Sequence, residues 1–158
     1  MRTAGFVGAF LAASLVLAAD GRGLSGHDDE REPPRVCTTE TLQGNYGVVI
    51  RGTRPAAGFP PGTIEQVNGV GTQTFDGDGN FTQATAEKSS VTGMIARRTG
   101  FGTYSVDPGC TGTLTLTVPG VPFAIVSDFV IVNRGREFHT FVASPQASMI
   151  VTTAKRIE

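Results

Sequence analysis

Asp76-x-Asp78-x-Asn80, followed by Glu87, reproduces the 1, 3, 5 and 12 spacing of a calcium-binding loop. The sixth position is Phe81, however, where a helical calcium hand needs glycine to turn sharply. The flanking residues also alternate as strands do, so a hairpin turn accounts for the same run and no metal is assigned. His139 is the single histidine after residue 35, which leaves no His-rich zinc site. Ser127-Asp128 stands inside the most apolar of the expected strands. A carboxylate buried there would have a raised pKa and could act as a general acid. Asp128, His139 and Glu87 are therefore the candidate catalytic groups, although no Gly-x-Ser-x-Gly elbow accompanies them. Gly69-x-Gly71 lacks the third glycine and the helix of a dinucleotide fingerprint, so no cofactor is expected.

The elements that must position these groups are sheets. The chain has 158 residues, 39% hydrophobic and 17% charged, with a formal charge of -1. A charge near zero speaks against a nucleic-acid partner, whose binder normally shows a clustered basic surface. Residues 1–19 read as a secretory signal peptide: Arg2 is followed by an uncharged run from Ala4 to Ala19, ending in small residues. That run is shorter than the ~20 residues a membrane span needs. The mature protein is thus expected to have no membrane span and to be secreted or periplasmic. Residues 20–35 hold five acids, three arginines and a proline pair, and read as a disordered acidic linker. The folded domain is expected over 36–158.

That domain contains nineteen threonines and three leucines, a composition that favours strands over helices. Apolar residues alternate with period two in Leu42–Ile50 and Thr113–Val118. Phe123 to Val132 is apolar on both faces, as a strand covered on both sides would be. Turn signals such as Asp76-Gly77-Asp78-Gly79 and Asp107-Pro108-Gly109 divide the domain into eight strands. They fall near 41–51, 63–75, 81–92, 99–106, 111–118, 123–132, 137–143 and 147–156. Connections this short enforce an antiparallel meander, best closed into an eight-stranded up-and-down barrel, with a two-sheet sandwich as the alternative.

Leu42-x-Gly44-x-Tyr46, Phe75-Asp76-Gly77-x-Gly79-Asn80, Gly102-Thr103-Tyr104-x-Val106 and Cys110-Thr111-Gly112-Thr113 span most of this domain. The series resembles secreted bacterial small β-barrel proteins of calycin or allene oxide cyclase-like type, a group without an assigned activity. The resemblance implies a barrel of that type, its motifs being turn and strand chemistry that speaks to fold and not to function. The lipocalin Gly-x-Trp is here Gly44-Asn45-Tyr46, and no cyclase motif is matched, so no catalytic residue is carried over.

The meander brings Cys37 and Cys110 to one end of the barrel, where an exported domain would join them as a disulfide. The opposite end collects Arg51, Arg54, Arg97 and Arg98, with Phe59 and Met94. We read this end as the mouth of a cavity for an apolar or amphipathic molecule with an anionic head, with Tyr46 and Tyr104 as further lining candidates. A small-molecule cyclase or isomerase is the second reading. A structural or protein-interaction module with a filled barrel is the third. Oligomeric state is left open.

Overall fold

The computed structural model describes residues 36–157. The signal peptide read over 1–19 and the linker read over 20–35 lie outside the described residues. Eight strands follow one another: β1 (Gln43–Pro55), β2 (Ile64–Asp76), β3 (Asn80–Ser89), β4 (Ile95–Val106), β5 (Thr111–Thr117), β6 (Ile125–Val132), β7 (Glu137–Ser144) and β8 (Met149–Arg156). Each pairs antiparallel with the next, and β8 returns to β1 from Tyr46↔Arg156 to Thr53↔Met149. The sheet is therefore a closed barrel, not a sandwich, and closure removes the exposed strand edges that invite aggregation.

Strand boundaries follow the turn chemistry. The β2–β3 hairpin is held by the Asp76 carboxylate, which accepts from the backbone N–H groups of Asp78 and Asn80 at 2.8 and 2.9 Å. Its second oxygen accepts from the Asn80 amide at 2.7 Å. Those bonds, led by that of the Asn80 side chain, hold Asp76 below the ordinary carboxylate range. Asp76, Asp78 and Asn80 of the calcium-spaced set thus build an Asx-type turn, and Glu87 is not part of it. At the other end the first connection is shorter than the sequence suggested, because the β1–β2 ladder runs on to Pro55↔Ile64. Strand β4 likewise begins at Ile95, four residues before its expected start.

Alternation then decides which side chains enter the barrel. Even-numbered residues point inward on β1, β4, β5, β7 and β8, and odd-numbered ones on β2, β3 and β6, as the buried set Tyr46, Val67, Phe81, Tyr104, Leu114, Phe129, Phe138 and Ala154 records. Strand β6 corrects one expectation. Only its inner face is covered; outward Asp128 is exposed, and Val130 keeps 41% of its surface. Apolar residues on both faces do not by themselves require two covering layers.

One end of the barrel is filled with rings. Phe75 lies 5.0 to 5.5 Å from Tyr46, Phe81, Tyr104 and Phe138, and Phe138 also meets Phe129. Gly102 and Gly112 make room for them. A Cβ at Gly102 would come within 2.8 Å of the Phe81 ring, and one at Gly112 within 2.5 Å of the Phe129 ring. Two 3-10 turns, Thr39–Thr41 and Asn133–Gly135, lie at this end. The Tyr104 hydroxyl donates to the carbonyl oxygens of Thr39 and Leu42 at 3.0 and 2.9 Å, and the Tyr46 hydroxyl donates to that of Gly135 at 2.5 Å.

Cys37 and Cys110 complete the seal as a disulfide with Cα atoms 5.0 Å apart. With a sequence separation of 73, restricting the unfolded chain contributes up to about 4 kcal/mol. Among the described residues no helix is long and apolar enough to cross a membrane.

Candidate functional site

The other half of the barrel is hollow. Inward positions there carry no aromatic ring from any strand, and a cavity of about 310 Å³ remains. It reaches the end bounded by the β1–β2, β5–β6 and β7–β8 connections, since Ala57, Val121, Pro122, Phe123, Pro145 and Ser148 line it. The sequence reading placed the mouth at this end.

The wall has two sides of different chemistry. Strands β1 to β4 supply Arg54, Glu65, Gln73, Gln83, Glu87 and Arg98, with Ile50 and Pro55 of β1 as the apolar members of that side. Strands β5 to β8 supply Leu114, Leu116, Ile125, Val142 and Ile150, interrupted only by the hydroxyls of Ser127, Thr140 and Thr152. The division follows from register. Arg54 stands directly opposite Glu65, and Thr85 opposite Arg98, so the polar inward positions of adjacent strands meet.

Within the polar wall, Arg54 bridges two carboxylates. Its Nε donates to Glu65 at 2.6 Å and its Nη1 to Glu87 at 3.0 Å. Ser89 adds a hydroxyl donor to Glu65. Burial alone would raise the pKa of Glu65. The Ser89 and Arg54 hydrogen bonds, with the charges of Arg54 and Arg98, overcome it and hold Glu65 below its ordinary value. Burial likewise pulls the Arg54 guanidinium down, and the two carboxylates outweigh it and raise it.

Arg98 differs. Among the described residues its guanidinium has no hydrogen-bond partner, and its Nε is buried. Gln73 is its counterpart of opposite polarity. Its amide nitrogen donates to Gln83 at 3.1 Å, while its own Oε1 is buried without a partner. A buried donor and a buried acceptor left unmatched each cost about 1–3 kcal/mol.

The sequence candidates separate by parity. Arg54, Arg98 and Glu87 face the cavity. Arg51 and Arg97, one strand position out of phase, are exposed on the outer face. Phe59 and Met94 are exposed on connections at the mouth and do not line the cavity. Tyr46 and Tyr104 are buried at the sealed end, where their hydroxyls are satisfied by backbone, and burial raises the pKa of Tyr104. Asp128 and His139 lie on the outside. Asp128 accepts a long 3.4 Å bond from Thr113, and His139 sits beside Glu137 at 3.4 Å. Asp128 is not the buried acid that its apolar neighbours suggested, because the inward phase of β6 belongs to Ser127 and Phe129.

Gln73, Gln83, Thr140 and Val142 were not singled out from sequence. The signal that could have found them is their phase relative to Phe75, Phe81, Phe129 and Phe138. Comparisons with protein-family models, curated proteins and solved structures return no match to this chain.

Proposed function

We propose that this protein is an exported carrier that holds a small amphipathic molecule in the hollow half of its barrel. The observation that carries this reading is the cavity of about 310 Å³ with a charged and amide wall facing an apolar wall. Its size falls at the small end of known ligand sites. At a water-sized share of ~30 Å³, it accommodates about ten non-hydrogen atoms. An eight-stranded barrel can be filled by its own side chains, so an open interior favours a carrier over a filled interaction module. Export is supported by the disulfide, which suits an oxidising compartment. It is also supported by the signal-like pattern of residues 1–19. The closed meander is compatible with a calycin-like or allene oxide cyclase-like relationship, on architecture alone.

A cyclase or isomerase would need a proton donor or acceptor at the cavity wall. Glu65 stays ionised to below its ordinary range, and both Glu65 and Glu87 are bonded to Arg54. A carboxylate held this way is a poor proton shuttle, which favours carriage over catalysis.

Native mass spectrometry of the protein purified from its own host tests the reading. A retained small molecule is expected. It should be absent from Val142→Phe, which fills the cavity at a cost of about 1–3 kcal/mol in stability. Wild-type protein that carries no adduct and takes up no apolar fluorescent probe refutes it.

A further inference from the structure

The charges already present on the polar wall restrict what the head of such a ligand can be. Resting on the carrier reading, we propose that the cavity selects an uncharged polar head with one hydrogen-bond acceptor and one donor, such as a primary carboxamide, over a carboxylate. The inward charges are Arg54 and Arg98 against Glu65 and Glu87, which sum to zero. Arg51 and Arg97, which would tip the balance toward an anion, are on the outer face. Arg54 is already bonded to both carboxylates. That triad carries one net negative charge, and Arg98 is the group that offsets it. A carboxylate placed on Arg98 would add a third negative charge to two positive ones in a confined, poorly solvated space.

A neutral head meets no such penalty. Its carbonyl offers an acceptor to Arg98 and its N–H or O–H a donor to the Gln73 amide, once side-chain rotation turns Arg98 Nε and Gln73 Oε1, both closed off from solvent and without a partner, toward the cavity. Both residues line the cavity. The apolar body lies against the opposite wall, where Leu114, Leu116, Val142 and Ile150 accept a short chain.

Octanamide and octanoate have the same chain and the size the cavity accommodates, and they differ in head charge. Isothermal titration of the intact protein near neutral pH should give a Kd for octanamide about tenfold or more below that for octanoate. Octanoate binding equally well or better overturns the head-group inference and leaves the carrier reading standing. Binding of neither, nor of octanol, removes the carrier reading and the inference with it. Glu87→Gln keeps the side-chain shape and still accepts from Arg54 while making the wall net positive. It should shift the preference toward octanoate by about tenfold. An unchanged ratio in that variant overturns the charge argument.

Discussion

The two halves of this barrel are built by one rule and end in opposite states. Both present alternate residues of the same eight strands inward. In the sealed half those residues are Tyr46, Phe75, Phe81, Tyr104, Phe129 and Phe138, and the interior is full. In the hollow half they are polar or aliphatic, and about 310 Å³ stays empty. Strand number sets the bore, and side-chain volume decides whether it is occupied. The difference also concerns polarity. Every tyrosine hydroxyl of the sealed half has a backbone partner, whereas the hollow half keeps unmatched polar atoms at Arg98 and Gln73. On the carrier reading, the unmatched atoms of the hollow half are the groups a guest would satisfy.

The contrast is broken most directly at Phe75, which touches four other rings. Phe75→Ala should lose about 5 kcal/mol in urea unfolding, the upper range for a core phenylalanine. A loss below about 2 kcal/mol would mean that the sealed half is not the structural anchor.

The next effect is at the mouth. Arg54→Met leaves Glu65 and Glu87 facing each other without their shared cation. It should cost about 2 kcal/mol at neutral pH, less than a fully buried pair because Arg54 is partly exposed. The pH dependence sharpens the point. The native pKa of Glu65 lies below its ordinary value, near 4.5. The unfolded chain therefore binds more protons in that range, and this contribution is complete above the ordinary value and lost as pH falls through the depressed one. In Arg54→Met the same acidification should relieve repulsion, so that the acid limb flattens or inverts. Thermal melts across that range would show it, and parallel acid limbs for the two proteins would contradict the assignment.

The smallest effects are expected outside the barrel. Asp128→Asn and His139→Gln should change stability by less than about 0.5 kcal/mol and leave uptake of an apolar probe unaltered. Loss of uptake in either variant would move the site from the inner wall to the outer face.

Much of the architecture is legible in the sequence because strand chemistry is local. The fault-free alternation of Thr113–Val118 and the glycine-rich turn after Asp76 locate elements without knowledge of their neighbours. The cysteine pairing follows from counting connections, since a meander returns to the same end at every second turn. The site is less legible because inward phase is not a local property where both phases are apolar. In β6, Val126, Val130 and Val132 look as suited to the interior as Ile125, Phe129 and Ile131. Only closure of the barrel selects the second set, and with it Ser127 over Asp128. Arg97 and Arg98 are adjacent and chemically identical, yet one phase separates an outer charge from a cavity group. The rings at the sealed end supply that phase for β2, β3, β4 and β7, and propagating it along each strand reaches Gln73, Gln83, Arg98, Thr140 and Val142.

The position of the disulfide has a practical consequence. Cys37 is tied to Cys110 beside the aromatic plug, and Ile157 leaves β8 at the same end, where its N–H bonds the carbonyl of Asn45. Both termini of the described chain therefore emerge opposite the mouth. A bead, a surface or a fused partner attached beyond β8 would stand at the end opposite the opening, so protein immobilised there should sample solutes as freely as protein in solution.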